Sequence, residues 1–307
     1  MYLEHHGIWF AAATPCIASQ HSTALTMKCG HKLRKLVTRS PLRWAGSKRS
    51  LLPLISGLTP DFNGQYVEPF MGSACVFFNM KPKKATLSDF NGDLVIFFTQ
   101  LRDNVDELAS RFQNLDETGL DYYSQRAMRI SELTPPDRAA RFLYLNRHSF
   151  NAVYRTNRQG QFNVPKGTRT GAAPTRDELI SASRSLTNTV IRHCDYLQST
   201  AQATVEDFVY LDPPYRNADR KTYGEYGYNA FGTDEDVSML AVELDRLNEI
   251  GAKVLLSFNM DDHLMSALDG WTIVHVQRRR SVAANASSRT ALQGEILAYN
   301  YEVSVNA

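Results

Sequence analysis

Apolar residues recur along the chain in two rhythms. Between Asp93 and Leu115 they fall at Leu94, Phe97, Leu101, Val105, Leu108 and Phe112, steps that put them on one face of a helix. Val237, Leu240, Leu244, Leu247 and Ile250 repeat that spacing over 234–250, and Gly251 supplies a stop. The second rhythm is the short unbroken run. Phe208-Val209-Tyr210-Leu211 and Val254 to Phe258 read as strands buried on both faces of a parallel sheet. Gln65 to Gly72 is a β-prone run ending in a small-residue turn, with a helix beginning over Cys75 to Asn79. Ala85 to Ser88 is a second strand that ends at Asp89. Trp271–Val276 and Ile296–Val303 read as further strands, and Leu51 to Leu58 as a short helix after a proline-bearing loop. Strand, turn and helix in alternation predict a doubly wound α/β sheet.

Residues 116–192 break both rhythms. They are rich in Arg and carry Pro135-Pro136, Gly160, Gly167 and Gly171, which predicts a small, partly helical insertion. The organisation expected is an N-terminal extension of poor order over 1–38, one domain built from 39–115 and 193–307, and the insertion at 116–192. Within the extension, the first 26 residues read as a leader, and Met27 opens a more protein-like stretch. Arg278 to Thr290 reads as a mobile basic loop.

Charge sharpens this division. The whole chain of 307 residues carries only +2, but Arg126 to Arg192 holds twelve Lys or Arg against four Asp or Glu. The insertion is therefore basic and the body acidic, a footprint that fits a polyanion, although a solvated basic face has the same charge. A hydrophobic content of 43% argues against disorder. Cys16, Cys29, Cys75 and Cys194 form no C-x-x-C pair and the histidines show no ligand spacing. No metal site is expected, and the cysteine usage fits a reducing cytoplasm. No run reaches the roughly 18 apolar residues of a membrane span. Pro15 interrupts the apolar Ile8–Ala18 stretch, which no basic residues precede, so a secretory signal is not expected.

The sharpest chemical signal is Asp212-Pro213-Pro214-Tyr215 at the end of a predicted strand. Alpha/beta sheets place ligands at that end of their strands. The two prolines have no N–H to donate and a fixed φ, so the chain is stiff there. The Asp212 carboxylate and the Pro213 carbonyl can each accept one hydrogen of an exocyclic amino group, and Tyr215 can stack on the ring that bears it. A plain strand-ending turn is the structural alternative. Three other segments look like parts of a nucleotide-type site. Phe70-Met71-Gly72-Ser73-Ala74 is a small-residue turn that lets a ligand approach the backbone. Asp89 is a carboxylate at a strand end, where it can take ribose hydroxyls. Trp44-Ala45-Gly46-Ser47-Lys48 joins an aromatic face to a cation suited to a carboxylate.

Taken in order, these segments resemble the Dam-type (D12 class, α group) family of DNA N6-adenine methyltransferases. The likeness runs from about Pro41 to Tyr301. It rests on P-L-R-W-A-G-S-K, Y-V-E-P-F-M-G-S-A, L-S-D-F-N-G-D-L, L-N-R-H-S-F-N-A-V-Y-R, Q-F-N-V-P-K-G, Y-L-D-P-P-Y and V-L-L-S-F-N. The resemblance implies a Rossmann-like methyltransferase sheet with a mainly helical target-recognition insertion. It implies S-adenosylmethionine as cofactor, held by Trp44, Lys48, Phe70, Gly72, Asp89 and Asp212, and a catalytic set of Asp212, Pro213, Pro214 and Tyr215. The partner implied is double-stranded DNA, with GATC the closest recognition sequence. Phe150, Asn151 and Arg155 match residues that enter the duplex, and Arg43 stands where the family has a basic residue near the target.

Adenine N6 lies inside a base stack, so the base must be flipped out. Phe150 and Tyr154 are candidates to fill the gap, Tyr154 being equally suited to core packing. Arg147, Arg155, Arg158, Asn163, Lys166 and Arg169 are candidates for phosphate or guanine contacts, and Arg278, Arg279, Arg280 and Arg289 for a backbone clamp. Three positions depart from the family pattern: Ser47, Ala74 and Ala152 each replace a glycine. A protein-amide methyltransferase would carry Asn in place of Asp212, and a DNA-binding regulator without catalysis would not retain Asp212, Tyr215, Asp89 and Lys48 together. The enzyme is expected to act as a monomer, without an obligate protein partner, in the cytoplasm of a bacterial or phage-infected cell. Whether it pairs with a restriction endonuclease is open.

Overall fold

A sheet built from the apolar runs organises the chain. The computed structural model describes residues 3–5, 8–10, 38–117, 121–168, 171–215, 231–259, 261–279 and 292–303. Among them, nine strands are β1 (Leu3–His5), β2 (Ile8–Phe10), β3 (Tyr66–Glu68), β4 (Ala85–Asp89), β5 (Thr189–His193), β6 (Phe208–Leu211), β7 (Lys253–Asn259), β8 (Thr272–Arg279) and β9 (Leu292–Tyr299). They lie side by side as β1-β2-β8-β9-β7-β6-β3-β4-β5. Strands β7, β6, β3, β4 and β5 run parallel, and β9 runs antiparallel to both β7 and β8. Strands β1 and β2 pair with each other and extend the edge at β8. The rest of the 1–38 extension, Met27 included, lies outside the described residues except for Thr38.

Helices cover both faces. They are α1 (Leu52–Leu58), α2 (Cys75–Met80), α3 (Gly92–Asp103), α4 (Val105–Glu117), α5 (Tyr122–Ala127), α6 (Pro135–His148), α7 (Arg176–Ser185), α8 (Tyr196–Thr200), α9 (Asp234–Glu249) and α10 (Asp262–Met265). Strand β6 shows why the sheet is doubly wound. Phe208 and Tyr210 join the core formed with α2, α3 and α6, whereas Val209 and Leu211 join the core under α9. A strand buried on both faces has no polar alternation, which is what the unbroken apolar run encoded. Helix α9 buries Val237, Leu240, Leu244 and Leu247 completely, each contributing about 1.5–3 kcal/mol as an upper estimate. Thr233 and Asp236 close a capping box at its start, and Gly251 ends it at φ 75°.

Several boundaries differ from the expectation. The helix read over Asp93–Leu115 is two helices, because the chain turns at Asn104 (φ −137°, ψ 44°). One amphipathic rhythm spans both, since α3 and α4 bury their apolar faces in one core. Pro135-Pro136 opens α6 instead of breaking the chain: proline fits the first turn, where its missing N–H costs nothing, and Thr134 caps it. The last strand begins at Leu292 and ends at Tyr299, and Arg278 and Arg279 lie in β8 rather than in a loop. Residues 189–192, assigned to the insertion by composition, form the exposed edge strand β5, where Arg192 is exposed as charges on sheet edges often are. Arg169, Arg280 and Arg289 lie outside the described residues, as does most of the Arg278–Thr290 segment.

The chain steps outward from β3 to β4 and β5, then returns to β6 on the other side of β3. The strand order reverses there, and the crevice outside the carboxyl ends of β3 and β6 is where such sheets receive ligands.

Candidate active site

The loop after β6 enters that crevice with Asp212, Pro213, Pro214 and Tyr215. Asp212 is largely buried, its side chain 17% exposed, and the Lys48 ammonium lies 2.5 Å from its Oδ1. Lys48 comes from a 3₁₀ turn, Lys48–Leu51, ahead of α1, and its side chain is 4% exposed. Its Nζ also donates to the Gly46 carbonyl at 3.3 Å, and Glu295 Oε1 stands 3.5 Å away. Burial disfavours the ammonium, but the charges of Asp212, Tyr215 and Glu295 outweigh it and hold the Lys48 pKa well above the usual range. Within the fold, the carboxylate partner of Lys48 is Asp212, which folding brings within reach of its ammonium.

Tyr215 lies with its ring centroid 4.9 Å from Lys48 Nζ and 5.7 Å from the Phe258 ring, which it meets edge-on. Its hydroxyl donates to Glu295 Oε1 at 2.5 Å and is 3.3 Å from Ser257 Oγ. Burial pushes the phenol well above its ordinary range, so the hydroxyl is a donor and not a base.

The turn after β3 forms the opposite wall. Gly72 has φ +44°, a left-handed conformation that glycine adopts without strain. Its N–H donates to Asp89 Oδ2 at 3.0 Å, and Asn91 N–H donates to Asp89 Oδ1 at 2.9 Å. Burial raises the Asp89 carboxyl to about 6 against the opposing pull of these backbone donors. A Cβ built on Gly72 would lie 3.0 Å from Trp44 Cδ1, so the indole packs directly over the turn. Ala74 keeps the left-handed conformation (φ 51°, ψ 32°) despite its side chain. Phe70 stacks on Tyr196 with centroids 5.2 Å apart and meets Phe231 edge-on.

A profile of the D12 class N6 adenine-specific DNA methyltransferases matches residues 44–282, most of the chain. The chain belongs to this family. It is 33% identical over 267 residues to the DNA adenine methylase of Escherichia coli K12, covering 85% of this chain and 94% of that one. It is 32% identical over 277 residues to a type II methyltransferase of Lactococcus lactis subsp. cremoris, covering 87% and 97%. It is 28% identical over 265 residues to the DNA adenine methylase of Haemophilus influenzae, covering 84% and 93%. The enzyme is therefore a site-specific, S-adenosylmethionine-dependent DNA adenine methyltransferase, and its acceptor is DNA. Among the described residues, no helix is long and apolar enough to cross a membrane, and no His, Cys, Asp and Glu cluster could hold a metal.

The insertion brings the candidate DNA residues to one hairpin-like segment. Phe150 N–H donates to the Pro165 carbonyl at 2.9 Å, and Gly167 N–H to the His148 carbonyl at 2.7 Å. Bridges Ser149↔Lys166 and Thr156↔Phe162 tie the two arms, with a 3₁₀ turn at Phe150–Ala152 between them. Phe150 is 45% exposed, and Asn151, Arg158 and Lys166 are exposed as well. Asn151 and Ala152 are both left-handed, φ 53° and 54°, so Ala152 keeps the backbone shape expected of the glycine it replaces. Arg155 is half-buried and its Nε donates to Asn163 Oδ1 at 2.7 Å, one cross-link of the hairpin.

Tyr154 and Arg147 both have partners within the fold. The Tyr154 hydroxyl donates to Asp93 Oδ2 at 2.7 Å, and its ring packs on Trp44, Phe142 and Phe162. It joins the insertion to α3, the core role its ring also suited. Arg147 is buried beside Arg43, whose Nη1 donates to the Arg147 carbonyl at 3.4 Å; Arg43 is itself half-buried and clasped by Asn146. Other basic residues of the stretch are also spent internally. Arg138 meets Asp93 at 2.7 Å, and Arg141 donates to the carbonyls of Gln125 and Arg126.

Sequence reasoning missed Glu295, Ser257 and Glu68. Glu295 and Glu68 are each 3% exposed. A Glu inside an apolar strand was the available signal, since buried carboxylates demand partners. Burial pushes the Glu68 carboxyl up to about 8, and Tyr66 Oη donates to it at 2.9 Å.

Proposed function

We propose that the Asp212–Tyr215 loop is the acceptor site and the Gly72–Asp89 turn the cofactor site of a monomeric enzyme that methylates adenine in GATC. The observation that carries this reading is the placement of both loops across the switch point of one sheet, Asp212 clamped by Lys48 on one side and Asp89 by two backbone amides on the other. The crevice suits S-adenosylmethionine. Gly72 lacks the Cβ that would crowd Trp44, Asp89 offers a carboxylate at a strand end suited to ribose hydroxyls, and Phe70 and Tyr196 supply aromatic surface. Lys48 fixes Asp212 at the edge of this crevice and stands among the residues that would hold the cofactor.

When bound, S-adenosylmethionine supplies a sulfonium methyl that is already a good electrophile. The residues then have three tasks. Asp212 and the Pro213 carbonyl accept the two N6 hydrogens and aim the nitrogen lone pair, a matter of in-line placement. Tyr215 stacks on the flipped base. Asp212 or water takes the N6 proton as the new N–C bond forms and the S–C bond breaks, with no covalent enzyme intermediate. Residues 39–115 and 193–307 form the catalytic part, and the insertion from 116 up to β5 reads DNA through Phe150, Asn151, Arg155, Arg158, Asn163 and Lys166, with Arg43 and Arg147 supporting that face. The cysteine pattern fits the cytoplasm of a bacterial or phage-infected cell.

The test is Asp212→Ala with purified protein, radiolabelled cofactor and duplex DNA. Label transfer is expected to fall by at least about 10³-fold while DNA binding stays within threefold, because the residue acts at the reacting atom and not at the duplex. Unchanged label transfer would overturn the assignment of this loop.

A further inference from the structure

The antiparallel part of the sheet reaches the site through Glu295. This residue opens the apolar run Glu295-Ile296-Leu297-Ala298-Tyr299 of β9 and is 3% exposed. Its placement follows from register: Glu295 lies opposite Asn259 at the end of β7 and opposite Val276 of β8. Its Oε1 accepts the Tyr215 hydroxyl at 2.5 Å and the Ser257 hydroxyl at 2.8 Å, with Lys48 Nζ 3.5 Å away. Ser257 is itself fully buried on β7, so the oxygen that receives Tyr215 is fixed from the floor of the sheet.

A tyrosine ring has two side-chain torsions. Pinning its hydroxyl fixes the far end of the ring, and the two prolines before it stiffen the near end. The ring plane is then set by the sheet and not by solvent. We propose that Glu295 is a positioning residue for methyl transfer: it holds the Tyr215 ring at the angle that aligns a stacked adenine with the donor methyl. It acts through Tyr215 and touches neither base nor cofactor. The proposal rests on the reading of Asp212–Tyr215 as the acceptor site.

The experiment measures kcat, KM for each substrate and melting temperature of the full-length protein. The substrates are radiolabelled S-adenosylmethionine and plasmid DNA from a methylation-free host, so no recognition sequence need be assumed. Glu295→Leu is expected to lower kcat about 10- to 100-fold, the scale of a small misalignment, with both KM values within threefold. Glu295→Gln keeps an oxygen that accepts both hydroxyls and is expected to stay within threefold of wild type. Tyr215→Phe is expected to lower kcat as Glu295→Leu does, and the double variant to be no worse than the worse single one, because both remove the same Tyr215–Glu295 bond. Should Glu295→Leu fail to fold, Glu295→Asp draws the acceptor back by one methylene and is expected to show the same loss in kcat. A folded Glu295→Leu or Glu295→Asp with wild-type kcat would overturn the proposal. So would Glu295→Gln as impaired as Glu295→Leu, or losses that multiply in the double variant. Asp212→Ala is run alongside: its failure to reduce transfer would sink the site reading, whereas loss there with no effect at Glu295 would sink this inference alone.

Discussion

Gly72→Ala tests the cofactor turn through a single methyl group. Gly72 has φ +44°, and the added Cβ would lie 3.0 and 3.1 Å from Cδ1 and Nε1 of Trp44. A left-handed conformation costs a non-glycine residue about 1–2 kcal/mol. The less flexible unfolded chain returns about 0.4–1 kcal/mol of that. The indole must also retreat by a few tenths of an ångström, yet Phe142 and Tyr154 lie behind it, centroids 6.3 and 5.7 Å away. The balance is a loss of about 1 kcal/mol, which in a chain of this size lowers Tm by about 2 °C. Because the methyl group enters the side of the turn that Trp44 covers, S-adenosylmethionine Kd is expected to rise roughly tenfold, about 1.4 kcal/mol. Differential scanning calorimetry and isothermal titration calorimetry on the same preparation give both numbers. A variant with unchanged or raised Tm and unchanged cofactor affinity would refute both the left-handed turn and the indole packed on it.

Asp89 carries a pH signature. Its folded pKa of about 6 lies above the usual carboxylate value because of burial, so the ionised form costs stability above that pH and the cost disappears as pH falls through 6 toward 4. Asp89→Asn removes this titration, so the stability of the variant relative to wild type is expected to shift in the variant's favour by up to about 3 kcal/mol between pH 4 and pH 7.5, with cofactor binding weakened throughout; a stability difference that does not change with pH would contradict the burial argument. Tyr154→Phe removes the hydrogen bond to Asp93 and is expected to cost about 1–2 kcal/mol in a melt, with DNA affinity within threefold of wild type; a large affinity loss at unchanged Tm would return Tyr154 to the DNA. Gly167→Ala sets a Cβ 2.8 Å from the Ser149 carbonyl oxygen and 3.0 Å from Phe150 Cα, so gel-shift assays are expected to show DNA binding weakened about tenfold, the scale of a 1–3 kcal/mol overpacking cost, with cofactor Kd unchanged.

The parallel sheet was legible because its strands are buried on both faces and therefore spelled as unbroken apolar runs, Phe208–Leu211 most plainly. The tetrapeptide was legible because its four residues are contiguous, although the side chains that clamp them, Lys48, Ser257 and Glu295, come from distant parts of the chain. Glu295 was not, since only the β7–β9 register brings it to a tyrosine 80 residues earlier. Tyr154 and Arg141 show where part of the insertion's aromatic and basic content goes. Aromatic and basic residues also suit the seam between a small insertion and the body, where Arg141 satisfies the carbonyls at the end of α5 and Tyr154 bonds Asp93. The break at Asn104 was hidden because α3 and α4 continue one apolar rhythm into the same core. Ala74 and Ala152 adopt a left-handed backbone that glycine takes without strain, so the fold outweighed a local preference at both turns.

The central claim is that this chain methylates adenine N6 in DNA through Asp212. Its most direct test is single-molecule sequencing of DNA from a methylation-free host expressing the wild-type chain or Asp212→Ala. N6-methyladenine in one short sequence, GATC, is expected with the wild type and none with the variant. A soluble, cofactor-binding wild-type protein that leaves the DNA unmodified, or a variant that modifies it equally, would contradict the account.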